Sequence, residues 1–261
     1  VARTRSASEL GPFIDELSEW AEARSPVGAT LRYGDDPSQE LDLRVPDGDG
    51  PHPVAFVLHG GFWRAVYTRR NTSAVAAALT RAGWATANVE YRRLGPGSYA
   101  AMLDDVAAAR AHLEGIDPRL DLSRTMAIGH SAGGHLALWL ASTGGANRVV
   151  SLAGVCDLED AARAELGDHA VQEFLGGEPA DVPEAYAAAD PARRLPLGVP
   201  QLLAHGTADD RVPFEHAQRY AERARAAGDD CSVLALEDVD HFDVIDPRTE
   251  AWRAIAEALR P

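Results

Sequence analysis

Lysine is absent from this chain of 261 residues, so all 25 of its basic side chains are arginine. Chemistry that runs through a lysine amine is therefore excluded, whether a pyridoxal Schiff base, a P-loop nucleotide site or a Ser-Lys dyad. Cysteine is nearly absent too. Cys156 and Cys231 are the only two, each in or beside an apolar run; they read as small buried hydrophobes, and neither a disulfide scaffold nor a C-x-x-C metal pattern exists. No apolar run approaches the ~18 residues needed to span a bilayer, so no membrane partner is expected. Positive charge is outnumbered: 25 basic against 40 acidic residues leave a formal charge of −15. A nucleic-acid partner, which needs a basic surface, is not expected, and the acidic residues read as a solvated face. There is no H-E-x-x-H or similar ligand spacing, so neither a metal nor another cofactor is expected. The stretch Val1–Arg5 is not followed by the apolar core of a signal peptide, which makes the cytoplasm the expected location. The chain does not begin with Met, so its natural start is left open.

The most informative stretch present is Gly129-His130-Ser131-Ala132-Gly133, a G-x-S-x-G pattern between the apolar run Met126–Ile128 and a helix-like segment, Gly134–Ser142. A serine hydroxyl hardly ionises at neutral pH and attacks a carbonyl only when a base takes its proton. A sharp strand-to-helix turn would expose Ser131, with glycines on either side where a Cβ would clash. Upstream, the run Val54–Leu58 leads into His59-Gly60-Gly61-Phe62-Trp63, where turned N–H groups of Gly61 and Phe62 could face a developing oxyanion together with that of Ala132. Downstream, Leu202–Ala204 leads into His205 to Pro213, and Val233–Leu236 into Asp240-His241-Phe242-Asp243. Four apolar runs thus deliver polar groups just past their carboxyl ends, the edge at which open parallel sheets place their sites.

The chain as a whole alternates strand and helix signals in one domain, 1–261, with no repeat and no linker. An amphipathic leader (1–25) precedes two antiparallel candidates, Ala29–Tyr33 and Glu40–Val45. Helices are expected over Asn71–Ala82 and Tyr99–Glu114, and strands over Trp84–Tyr91 and Val149–Ala153. From Leu158 to Leu197 the sequence is alanine-rich and acidic, broken by Pro and Gly, without a strand signal. It reads either as a small cap or as an ordinary extended connection.

In these motifs the chain resembles the α/β-hydrolases, in particular bacterial carboxylesterases and kynurenine formamidase-like enzymes. The resemblance covers Leu31 to Pro261 and rests on Tyr33–Asp36, the His59–Trp63 turn with an aromatic residue and Trp after HGG, Tyr91-Arg92-Arg93, Gly129–Leu136 and His241-Phe242-Asp243. The segment His205–Pro213 is similar to the catalytic domain of prolyl-oligopeptidase-type peptidases. The resemblance implies a mostly parallel sheet with helices on both faces and a small cap insertion over 158–197. It also implies a triad. Ser131 would be the nucleophile and His241, the last histidine and beyond the last strand, the base. Asp209 and Asp210 both could supply the acid, although adjacent side chains in an extended loop point different ways; the resemblance favours Asp209. Phe62, Trp63, Phe174 and Phe242 could line an apolar pocket. His59 and His205 read as pins of their loops and His130 as packing beneath the elbow. The implied activity is hydrolysis of a small-molecule ester or aryl formamide through an acyl-enzyme. An exopeptidase, lyase chemistry on the same scaffold and a catalytically silent ligand-binding protein remain alternatives, and a homo-oligomer is left open.

Overall fold

The computed structural model describes residues 5–93, 95 and 98–259. Residues 1–4 of the expected leader and 260–261 of the expected domain lie outside the described residues. In chain order the elements begin with α1 (Ala7–Arg24), β1 (Ala29–Arg32), β2 (Glu40–Arg44), β3 (His52–Leu58), α2 (Ser73–Arg81), β4 (Ala85–Val89) and α3 (Tyr99–His112). Next come β5 (Leu120–His130), α4 (Ala132–Ser142), β6 (Arg148–Leu152), α5 (Leu158–Arg163), α6 (Leu166–Leu175) and α7 (Pro183–Ala189). The chain closes with β7 (Gln201–Gly206), α8 (Phe214–Ala226), β8 (Cys231–Leu236) and α9 (Glu250–Ala258).

The strands form one sheet in the order β1-β2-β4-β3-β5-β6-β7-β8. Only the β1–β2 and β2–β4 pairings are antiparallel; from β4 to β8 every pairing is parallel. Parallel strands are covered on both faces, which is why β3 and β7 read as apolar runs rather than alternating ones. The pleat divides each strand between two cores. Val54, Phe56 and Leu58 of β3 pack with residues of α3, α4 and α8, whereas Ala55 and Val57 pack with residues of α1, α2 and α9. Cys156 and Cys231 are both buried and unpaired. Among the described residues, no helix is long and apolar enough to cross a membrane.

Two elements depart from the expectation. Strand β5 is eleven residues long, not the three of Met126–Ile128, because its first half is an exposed extension whose polar residues satisfy one another, as in the 2.5 Å contact from Arg124 Nε to Asp121. Helix α8 has no counterpart in the sequence reading. Its buried face is His216, Ala217, Tyr220, Ala221 and Ala224, at helical spacing but without large aliphatic residues to mark it. The stretch from Leu158 to Leu197 contains three short helices and a 3-10 turn, Pro191–Arg193, and no strand.

The topology locates the site. From β3 the chain first adds β4 on one side and then crosses to place β5 on the other. That reversal leaves a crevice beyond the carboxyl ends of β3 and β5, the switch point at which open α/β sheets bind ligands. The His59–Trp63 turn leaves β3 there, and Ser131 leaves β5.

Candidate active site

Ser131 follows β5 directly and has φ 55° and ψ −119°, a region a non-glycine residue occupies only when its surroundings force it. The surroundings do so. Its N–H donates to the Leu152 carbonyl at 2.9 Å, and its own carbonyl accepts from Gly134 and Val155 at 2.9 and 3.2 Å. The flanking glycines are required by contact: a Cβ on Gly129 would strike the Gly133 carbonyl, and one on Gly133 the carbonyls of Leu58 and His59. Ser131 thereby stands at the amino terminus of α4, where the Ala132 N–H has no intrahelical acceptor.

Beside it, the turn after β3 is left-handed at three successive residues, Gly61 (φ 120°), Phe62 (φ 50°) and Trp63 (φ 58°). Among the described residues, the N–H groups of Gly61, Phe62 and Ala132 donate to no loop carbonyl or side chain. A buried polar cluster fixes the turn from below. The His59 ring stacks on Tyr91 with centroids 4.3 Å apart and donates from Nδ1 to the Gly60 carbonyl at 2.8 Å. Tyr91 donates its hydroxyl to the His59 carbonyl at 2.7 Å, and Glu90 lies 3.1 Å from His59 Nε2. Burial raises the Glu90 carboxyl pKa, but His59 and Arg93 outweigh it and hold the group down at about 2. The carboxylate is ionised and engaged.

The acidic partner comes from the loop after β7. Asp209 is buried and accepts with Oδ1 from the N–H groups of Arg211 and Val212 at 2.8 and 2.9 Å. Its Oδ2 accepts from His241 Nδ1 at 2.7 Å and lies 3.2 Å from His205 Nε2. Burial opposes the charge, yet His241 and His205 keep the Asp209 carboxyl well below the usual carboxylate range. Asp210, by contrast, points outward with its side chain 40% exposed, 3.4 Å from the Arg211 guanidinium. It is Asp209 that reaches the imidazole.

His241 sits on the turn beyond β8. Asp240 Oδ1 accepts the N–H groups of Phe242 and Asp243 at 2.8 and 2.7 Å, which curls the backbone around the histidine. On the inner side His130 donates from Nε2 to the His241 carbonyl at 2.9 Å, and burial, with His241 adding to it, pushes the His130 pKa down to about 3. His130 is thus a neutral support. Because Nδ1 of His241 is committed to Asp209, the neutral ring presents Nε2 as an acceptor.

Ser131 and His241 open on one cavity of about 490 Å³, walled by Gly60, Gly61, Phe62, Tyr67 and Phe242. Of the four aromatic residues expected there, Phe62 and Phe242 are present and Trp63 and Phe174 are not. Trp63 turns inward and stacks on Phe174 with centroids 4.6 Å apart, and these two line a separate cavity of about 190 Å³ on the far side of Phe62. The pocket assignment of Trp63 and Phe174 is corrected accordingly: with both turn residues left-handed, Phe62 lines the cavity that holds Ser131 while Trp63 enters the core. The sequence reading did not name Tyr67, Gly167, Asp168 or the N-terminal residues Arg5, Ser6 and Leu10 as walls. Tyr67 had one signal, its position four residues past Trp63; the others are brought in by the fold alone.

The chain matches the BD-FAE family over residues 41–223, well over half its length. It belongs to that family. This BD-FAE chain is similar to esterase LipC of Mycobacterium tuberculosis, with 29% identity across 94% of the chain and 70% of that protein. It is also similar to kynurenine formamidase of Danio rerio, at 25% identity across 89% of the chain and 82% of the relative. Its fold resembles that of a bacterial heroin esterase, with a TM-score of 0.77 and 23% identity over 97% of the chain and 88% of that structure. The family is one of α/β-hydrolase esterases, and this member is a hydrolase with that fold.

Proposed function

We propose that this BD-FAE protein cleaves small esters or aryl formamides through a Ser131–His241–Asp209 triad. The observation that carries the reading is the 2.7 Å bond from Nδ1 of His241, which lines the same cavity as the left-handed Ser131, to a buried Asp209 anchored by backbone N–H groups behind it. His241 takes the Ser131 proton through Nε2, and Ser131 Oγ attacks the acyl carbon. The Asp209 carboxylate stabilises the imidazolium that forms, and the N–H groups of Gly61, Phe62 and Ala132 receive the negative oxygen. His241 then returns the proton to the departing alcohol or amine, leaving the acyl group on Ser131. Water, deprotonated by the same imidazole, releases it. Two features support a short acyl group: the Tyr67 ring packs against Gly61 of the turn, and Gly167, at the start of α6, lies against the Phe62 ring on the wall of the same cavity. The ester and formamide readings follow the named relatives.

Labelling with a fluorophosphonate tests the proposal, since only an activated serine reacts. Stoichiometric labelling that vanishes in Ser131→Ala is expected. No labelling of the wild-type chain would instead make it a ligand-binding protein on the same fold. Parallel assays on p-nitrophenyl acetate, N-formylkynurenine and an aminoacyl anilide separate esterase, formamidase and exopeptidase.

A further inference from the structure

The turn that carries His241 is crowded with negative charge from Asp240, Asp243 and Asp246. Asp240 is 2% exposed, and the N–H bonds it accepts shape the turn. Its second oxygen accepts from Arg5 Nη1 at 2.7 Å, while Arg5 Nη2 donates to Asp243 Oδ1, also at 2.7 Å. One guanidinium therefore bridges both carboxylates that flank His241. Among the described residues, no other cation pairs with either. The same guanidinium lies over the Phe13 ring of α1, 4.0 Å from its centroid. The Arg5 carbonyl accepts from Arg211 Nη2 at 3.2 Å, which ties in the loop that carries Asp209. Arg5, Ser6 and Leu10 also contribute to the wall of the Ser131 cavity.

We propose that Arg5 is a positioning residue that clamps the His241 turn onto the N-terminal helix, holding the imidazole in register with Asp209 and Ser131. A carboxylate as buried as Asp240 cannot lose its cation without admitting water or taking up a proton, and either response loosens the two N–H bonds that curl the turn. The inner face would remain held by His130, so the released turn would pivot about the His241 carbonyl. A displacement of the base by about 1 Å is enough to cost on the order of 10²-fold in rate. The inference rests on the proposed role of His241 as the base.

The test uses the full chain with p-nitrophenyl acetate and the variants Arg5→Gln, Arg5→Lys, Asp243→Ala and His241→Gln. Arg5→Gln should lower kcat about ten- to hundredfold while KM stays within about twofold, the pattern of a lost transition-state alignment. Arg5→Lys should recover part of kcat, because one ammonium can hold Asp240 but cannot span both carboxylates as the guanidinium fork does. A kcat for folded Arg5→Gln within about twofold of wild type overturns the proposal, as does Arg5→Lys no better than Arg5→Gln. Should Arg5→Gln fail to fold, Asp243→Ala removes only the outer arm, and an unchanged kcat there overturns the proposal. Activity surviving in His241→Gln would remove the base on which the inference stands, a result distinct from failure of the clamp.

Discussion

Lowering the pH from 7.5 to 5.0 should destabilise the fold through His135, by an amount that can be worked from its contacts. This histidine of α4 is fully buried; its Nε2–H donates to the Ala189 carbonyl at 2.9 Å, and its Nδ1 accepts from Trp63 Nε1–H at 3.3 Å. A second proton on Nδ1 would set two donors against each other. Burial pushes the pKa of the ring down to about 4, against about 6.5 for an unfolded histidine. The folded-state value is the lower one, so the stability is fully present above pH 6.5 and is lost as pH falls from there towards 4. At pH 5 the unfolded chain binds the proton and the folded chain does not, a loss of about 2 kcal/mol. His130, held near 3, adds a loss of similar size in the same window. Urea unfolding of wild type and His135→Gln at both pH values isolates the His135 part. The glutamine variant should be less stable at pH 7.5 by about 1–3 kcal/mol, from imperfect packing and bonding, and this gap should close by about 2 kcal/mol at pH 5. A gap of equal size at both pH values would refute the reasoning, because it would mean that His135 does not titrate differently in the two states.

Ser131→Ala should cut turnover by about 10⁴–10⁶-fold, with an unfolding midpoint close to wild type; more than about a tenth of wild-type activity on any good substrate would exclude Ser131 as nucleophile. Asp209→Asn should lower kcat by about three to four orders of magnitude and Asp210→Asn little, and steady-state rates in the opposite order would move the acid. Across p-nitrophenyl esters below their micelle-forming concentrations, kcat/KM should fall from acetyl or butyryl to octanoyl. An open groove would instead gain about 0.8 kcal/mol per buried methylene, so a rise towards decanoyl would contradict the restricted pocket.

The strands and the groups just past their ends were legible because a parallel strand is a short apolar run and the functional turns carry residue types that few other positions tolerate. Gly129 and Gly133 stand where a Cβ meets backbone, and that necessity is visible in the pattern itself. The walls of the cavity were not legible in this way. The opposite directions of Phe62 and Trp63 depend on left-handed φ values in one turn, which apolar character does not encode. Arg5 and Gly167 are far from Ser131 in sequence and reach it only through the packing of α1 and α6 on the crevice. Helix α8 escaped because alanine, histidine and tyrosine fill its inner face, a helical period without the large aliphatic residues that usually announce one.

The Trp63–Phe174 stack carries a further meaning, because Phe174 belongs to α6 and Trp63 to the turn after β3. Beside the stack, Arg64, which follows Trp63, donates from Nε to Glu173, which precedes Phe174, at 2.9 Å and from Nη2 to the Asp168 carbonyl at 3.2 Å. The segment between β6 and β7 is therefore bolted to the turn proposed to receive the negative oxygen. Divergence in this region would be constrained on both counts under the proposed mechanism: a substitution in α6 that reshapes the pocket would also shift the N–H groups of Gly61 and Phe62, so acyl selectivity and turnover would change together. A new specificity would have to be selected as a compensated set of changes across Trp63, Arg64, Glu173 and Phe174.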